Sequence, residues 1–136
     1  MAVARLMACE WRDGRRIDHV ITGPTLAQVE AAVRRLDNAA FNDLYLQASA
    51  DELGTYLCVG GGAGRYLLTG AIANERFPTL VDPQASPEPV QSLVVGGQAG
   101  EYPGNWIHRL ETALDAARVF WRGGRFDGTT LPWVDT

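Results

Sequence analysis

Residue types that often carry catalysis are few in this chain. It has two histidines, His19 and His108, and two cysteines, Cys9 and Cys58. None lies at the short intervals typical of zinc ligands, and a Cys58–His108 nucleophile–base pair would join residues that no motif brings together. Both cysteines lie in strand-like apolar runs, which favours buried free thiols over a disulfide. The pattern predicts no metal site, no cofactor and no catalytic centre.

The glycine clusters do not match phosphate-binding motifs. A Walker loop is excluded because the chain has no lysine. The dinucleotide fingerprint fails as well, since Arg65 takes its last glycine position when counted from Gly60. Segment 60–64 separates two short apolar runs and favours a hairpin loop. The adjacent acids Asp51 and Glu52 indicate a solvated turn.

The first elements along the chain have clear local signals. Residues 3–11 and 15–21 are apolar runs that flank Asp13-Gly14. An Asp-Gly pair in this setting predicts a β-hairpin, because a type I′ turn needs positive φ at both central residues. A helix is predicted over 25–38, where Thr25 and Gln28 have the spacing of a capping box.

The rest of the chain predicts more strands and a second helix. That helix covers 109–122, with Phe120 on its apolar stripe and Gly123-Gly124 as its end. Irregular structure is expected in the proline-rich segment 74–89 and in the polar segment 98–105. Strands are expected at 44–49, 56–59, 66–69, 90–95 and 131–134.

Composition places these elements in one domain, residues 1–136. The chain has 46% hydrophobic and 21% charged residues, the profile of a globular protein. No apolar run is long enough to span a membrane, and Arg5 and Glu10 interrupt the N-terminal stretch, so a cytoplasmic location is expected. The net charge of −4 argues against a nucleic-acid binder. The fold class is α+β: a mostly antiparallel sheet of about six strands with two helices, in the order β-β-α-β-β-β-β-α-β.

The C-terminal part of the chain carries a family resemblance. Its features are Val94-Val95-Gly96-Gly97, Tyr102-Pro103, the helix from Ala113 to Phe120 with Gly123-Gly124 after it, and Pro132-Trp133. Together they resemble a family of small α+β bacterial immunity proteins, noted for a Phe and a Trp and encoded beside polymorphic toxins that are often nucleic-acid deaminases. The matching positions are Phe120, the glycine after it, and Trp133. The resemblance covers residues 41–136. Segment 60–64 differs from the family pattern, because it is richer in glycine than the corresponding hairpin of some members.

This resemblance implies a protein inhibitor without catalysis. Its partner would be a cognate toxin, whose active site the protein occludes. A toxin that acts on nucleic acid needs a basic groove, which an acidic protein complements. Acidic and aromatic residues on predicted loops are the candidate partner-binding residues: Asp82, Glu88, Glu101, Tyr102 and Trp106.

Two other function classes stay open from the residues alone. One is a small-molecule-binding or regulatory domain without catalysis, with a pocket between the sheet and the helices. The other is an enzyme that uses Cys58 or His108 in a role the sequence does not define.

Overall fold

The computed structural model describes residues 3–48 and 54–136. These residues form two helices, ten strands and a short 3-10 turn at Gly104–Trp106. The expected α+β class with a mostly antiparallel sheet is confirmed. The helices are α1 (Leu26–Arg35) and α2 (Leu110–Gly123). The strands are β1 (Val3–Arg12), β2 (Arg15–Thr22), β3 (Phe41–Ala48), β4 (Tyr56–Gly62), β5 (Arg65–Ala71), β6 (Pro78–Leu80), β7 (Gln91–Val95), β8 (Gln98–Tyr102), β9 (Ile107–His108) and β10 (Trp133–Asp135).

Eight of the strands form one antiparallel sheet. Its order is β10-β6-β5-β4-β3-β1-β2, and β9 pairs with β5 beside this path. Strands β7 and β8 form a separate hairpin. The main sheet therefore has β2 as one edge and the short β10 as the other.

The predicted opening hairpin is confirmed. Asp13 and Gly14 have φ values of 53° and 73°, the positive pair that a two-residue turn of this type needs. Thr25 caps α1 with both bonds of the predicted capping box. The helix ends at Arg35 rather than 38, because Leu36 turns to an extended conformation and is itself buried.

The two helices cover one face of the main sheet, which we call the helix face. Ala8, Leu44, Val59 and Leu68 lie opposite one another across four paired strands on this face and join the core under the helices. Their neighbours in each strand point to the opposite side, the open face, because side chains alternate along a strand.

A row of three aromatic rings in contact connects helix α2 to the C-terminal strand β10. The Phe120 ring lies 5.0 Å from the Phe126 ring, which lies 4.8 Å from Trp133 in an edge-to-face arrangement. Gly124 ends the helix in the left-handed conformation at φ 63°. Phe126, which follows α2, thus lies between Phe120 of the helix and Trp133 of β10.

Two expectations about irregular structure are wrong. Pro78–Leu80 lies within the proline-rich segment and forms β6, since Pro78 begins the strand and Thr79 pairs with Thr69. Gln98–Tyr102 lies within the polar segment and forms β8, because Gly96-Gly97 turns the chain back along β7.

The glycine-rich connection is shorter than expected. Strand β4 continues to Gly62, and only Ala63 and Gly64 form the turn, both with positive φ. The predicted turn at Asp51-Glu52 lies outside the described residues. Within the described ranges, neither helix is long and apolar enough to cross a membrane.

Candidate partner-binding surface

The five candidate residues lie on two segments that the fold joins. The Asp82 N–H donates to the Asn105 carbonyl at 2.8 Å, and the Gly104 N–H donates to the Pro87 carbonyl at 2.7 Å. The loop after β6 is thereby fixed against the 3-10 turn. We call the resulting surface the acidic loop surface, defined by Asp82, Glu88, Glu101, Tyr102 and Trp106.

Glu101 and Tyr102 reach this surface from β8. They pair with Ser92 and Gln91 of β7, so the hairpin sets their register. Glu101 is exposed and Tyr102 is half-buried. Burial, and to a lesser extent the neighbouring Cys58, raises the pKa of Tyr102. Its hydroxyl therefore stays protonated at neutral pH and can donate a hydrogen bond.

The charge on this surface is of one sign. Residues 77–108 contain three acids and neither lysine nor arginine. Asp82, Glu88 and Glu101 take part in none of the ion pairs formed within 3–48 and 54–136. Arg65 reaches the margin, where its Nη1 lies 3.5 Å from Gln91 Oε1. These three carboxylates therefore have no cationic partner among the described residues.

The loop that carries Asp82 and Glu88 is ordered by its own side chains. Asp82 Oδ1 accepts from the Gln84 N–H at 2.9 Å, and Ser86 Oγ accepts from the Glu88 N–H at 3.2 Å. Pro83, Pro87 and Pro89 further restrict the backbone. A loop held in this way loses little conformational entropy when a partner binds.

Trp106 lies in the 3-10 turn and is half-buried. Its neighbour Asn105 has a buried Oδ1 without a hydrogen-bond donor among the described residues. An unpaired buried acceptor costs stability unless a water or a partner group satisfies it.

The β7–β8 hairpin sits on the open face of the main sheet. Asn38 Oδ1 accepts from the Val94 N–H at 2.7 Å, and Asn42 Oδ1 accepts from the Gly97 N–H at 3.0 Å. A Cβ on Gly60 would lie 2.7 Å from Val95 Cγ1, so the absence of a side chain at Gly60 lets the hairpin approach. No local pattern in the sequence links β3 or β4 to β7, so these contacts were not predicted.

A buried carboxylate supports the same hairpin. Asp43 is 1% exposed, and its oxygens accept from Trp11 Nε1 at 3.2 Å and from the Tyr45 hydroxyl at 2.9 Å. The Trp11 ring in turn lies beneath Gly97, where a Cβ would come within 2.7 Å of it. The pairing of Asp43 and Tyr45 at i, i+2 in a strand was the available sequence signal, since such residues share a face.

The thiols and His108 do not converge. Cys9 and Cys58 are buried free thiols, as expected. They lie on β1 and β4 with β3 between them, a separation of about 10 Å from two strand spacings, which is too far for a disulfide. Cys58 pairs with Thr69 on the open face, whereas His108 pairs with Tyr66 on the helix face. The sheet separates Cys58 from His108, so they cannot form a nucleophile–base pair.

His108 has a structural partner. Its Nε2 lies 2.7 Å from the Leu80 carbonyl oxygen in a buried contact that ties β9 to β6. No group of His, Cys, Asp and Glu side chains within the described ranges is arranged to hold a metal ion.

Comparisons with known proteins add information on the fold. No protein-family model matches the chain, and no curated protein matches it significantly. A crystal structure of a hypothetical protein from Neisseria gonorrhoeae is similar, with a TM-score of 0.61 and 13% sequence identity. The match covers 96% of this chain and 94% of the other. At this identity the likeness concerns the fold.

Proposed function

We propose that this chain is a cytoplasmic immunity protein that binds a cognate bacterial toxin, a nucleic-acid deaminase, and occludes its active site without catalysis of its own. The observation that carries the proposal is the acidic loop surface. Exposed Glu88 and Glu101 lie on it without an internal cation, beside the half-buried rings of Tyr102 and Trp106.

This surface suits an enzyme that acts on nucleic acid. Such an enzyme binds phosphates with lysine and arginine, so its substrate groove is positively charged. Carboxylates on a preordered loop complement that groove and accelerate association by electrostatic steering. Tyrosine and tryptophan are enriched among residues that dominate binding energy, and Tyr102 and Trp106 supply such anchors.

The chemistry of the remaining residues agrees with inhibition by binding. Cys58 is buried, and burial raises the pKa of its thiol to about 12, so it is not a reactive nucleophile. His108 is engaged with Leu80. Neither residue is placed to act on a substrate at the acidic loop surface.

Co-expression tests the proposal. The protein is produced together with the product of the gene next to its own, and growth is measured. We expect the wild-type protein to restore growth. The Glu88→Gln/Glu101→Gln variant should protect less, while Asp13→Asn/Glu75→Gln, which removes the same charge elsewhere, should protect fully. Failure of the wild-type protein to restore growth would reject the function, and equal protection by both variants would reject the surface.

A second candidate function rests on a pocket between the sheet and α1. It has a volume of about 230 Å³ and is lined by Leu6, Ala8, Ile21 and Ala32, with His19 and Arg35 among its polar residues. Sites for small molecules usually measure roughly 300–1,000 Å³, so this pocket is below the usual range and would admit only a ligand of a few heavy atoms. A small metabolite that raised the melting temperature with increasing dose would favour this function.

A further inference from the structure

Strand β2 is a long sheet edge without a neighbour on its outer side. It runs from Arg15 to Thr22 and pairs only with β1 among the described strands. The opposite edge, β10, has three residues. Val20 on β2 is 48% exposed. A long edge strand presents unpaired N–H and C=O groups that can pair with another strand, and the ion pair between Arg16 and Asp18 neutralises two of the three formal charges on β2.

The hydrogen-bonding groups that β2 presents outward can be assigned. The Gly23 N–H donates to the Ala4 carbonyl at 2.9 Å, so this pair bonds across the β1–β2 ladder. Bonded and non-bonded pairs alternate in an antiparallel ladder. The residues of β2 whose N–H and C=O groups point away from β1 are therefore Arg16, Asp18, Val20 and Thr22.

An apolar pocket lies beside this edge on the helix face. Leu6 and Ala8 of β1 and Ile21 of β2 line it together with Ala32 of α1. No described strand lies beyond β2, so no strand borders the pocket from that side. Its volume of about 230 Å³ suits an apolar side chain better than a whole small-molecule ligand.

We propose that β2 pairs antiparallel with β2 of a second copy of this chain, about a two-fold axis at His19. In this register Ile17 of each copy lies opposite Ile21 of the other and next to the pocket on the helix face. Arg16 lies opposite Thr22, and Asp18 lies opposite Val20. The outward groups of these residues then bond to each other, because both members of each pair point away from β1.

The register follows from two constraints. In a continuous sheet with a two-fold axis perpendicular to it, residues that lie opposite each other point their side chains to the same face. Odd-numbered residues of β2 can therefore pair only with odd-numbered residues of the second copy, and even-numbered with even-numbered. An axis at Asp18 would place two aspartates directly opposite each other, which is destabilising. An axis at Ile17 or Val20 would pair fewer residues of β2. The axis at His19 pairs Arg16 through Thr22 and opposes no two formally charged residues, with the two His19 side chains facing each other at the axis.

The dimer goes beyond the proposed function and does not depend on it. The β2 edge and the loop after β6 lie towards opposite sides of the sheet order, so pairing of β2 leaves the acidic loop surface free. Each copy could then bind its own partner.

A matched pair of substitutions tests the edge. The full-length protein is examined over a range of concentrations by sedimentation velocity and light scattering. We expect a concentration-dependent mass of two chains. Val20→Pro removes an outward N–H without breaking a bond to β1 and should give a monomer, whereas Val20→Thr should still dimerise. A wild-type protein that stays monomeric at every concentration would overturn the proposal.

A cross-linking experiment tests the register even if Val20→Pro disturbs folding. His19→Cys places two thiols opposite each other at the axis, at a spacing that permits a disulfide. We expect rapid formation of a covalent dimer under mild oxidation. Thr22→Cys lies far from its copy and should react at least tenfold more slowly. Equal rates for the two variants, or a covalent dimer with Thr22→Cys alone, would overturn the register.

Discussion

Asn42 Oδ1 accepts a hydrogen bond from the Gly97 N–H at 3.0 Å and so ties the main sheet to the turn of the β7–β8 hairpin. Asn42 is 1% exposed, and its Nδ2 donates to the Ala39 carbonyl at 2.8 Å. One buried amide therefore holds both the start of β3 and the hairpin that presents Glu101 and Tyr102. The placement of the acidic loop surface depends on this contact.

We predict that Asn42→Ala destabilises the protein by about 1–3 kcal/mol, because it removes both hydrogen bonds of a buried amide, to the Gly97 N–H and to the Ala39 carbonyl. Urea unfolding measures the change in free energy. Glu75→Ala, an exposed substitution, should change stability by less than about 0.5 kcal/mol. Hydrogen exchange at Gly97 should also accelerate in Asn42→Ala. Unchanged exchange at this amide would contradict the assigned role.

The contact between Gly60 and Val95 gives a second prediction. A methyl group at Gly60 would overlap the Val95 side chain, and such overpacking costs about 1–3 kcal/mol. Gly60→Ala should therefore be destabilising in the wild-type protein and nearly neutral in a Val95→Ala background. A double-mutant cycle of unfolding free energies measures the coupling. Additive effects would show that the hairpin does not rest on Gly60.

Arg76 connects two acidic residues near the C-terminus. Its guanidinium donates to Asp127 at 3.0 Å and to Asp135 at 2.9 Å. The hydrogen bond from Arg76 lowers the pKa of Asp127. A carboxyl with a lowered folded-state pKa contributes stability above its unfolded pKa, and this is lost as pH falls through the folded value.

We predict that Arg76→Gln raises the Asp127 pKa towards the ordinary value for aspartate, because the hydrogen bond that lowers it is lost. An NMR titration of the carboxyl carbons measures this pKa. The melting temperature of Arg76→Gln should also fall less than that of the wild-type protein between pH 5 and pH 2. Identical Asp127 titrations in both proteins would contradict the ion pair.

The two thiols should be unreactive in the folded protein. Burial, and to a lesser extent Asp43, raises the pKa of Cys9 to about 12, and burial raises that of Cys58 to about 12. The thiolate is the reactive form, so both thiols should resist a disulfide reagent at pH 8 and react fully in denaturant. Rapid reaction of either thiol in native protein would contradict the burial described here.

Local signals in the sequence predicted much of the fold. The turn at Asp13-Gly14 and the cap at Thr25 require only neighbouring residues, and both were found at the expected positions. The stripe that ends in Phe120 follows from helical periodicity alone. The turn, the helix cap and the helical stripe can be predicted because the interactions that cause each of them join residues only a few positions apart in the sequence.

Features that depend on distant contacts were missed. Gln98–Tyr102 has no apolar alternation, and it becomes a strand because β7 pairs with it. Asp43 is buried because Trp11 and Tyr45 donate to it, and Trp11 lies on a different strand. The sequence suggested the residues of the acidic loop surface one by one. Their placement on joined segments depends on backbone hydrogen bonds such as that from the Asp82 N–H to the Asn105 carbonyl, and no sequence motif predicts such a bond.

Binding to the purified product of the adjacent gene, with its active site inactivated, tests the central claim most directly. Calorimetry at several salt concentrations compares the wild-type protein with Glu88→Gln/Glu101→Gln and with the control Asp13→Asn/Glu75→Gln. The account predicts a tight one-to-one complex, weakened at least tenfold and made less salt-dependent by the first variant and unaffected by the second. A complex that both variants form with wild-type affinity, or no complex at all, would contradict it.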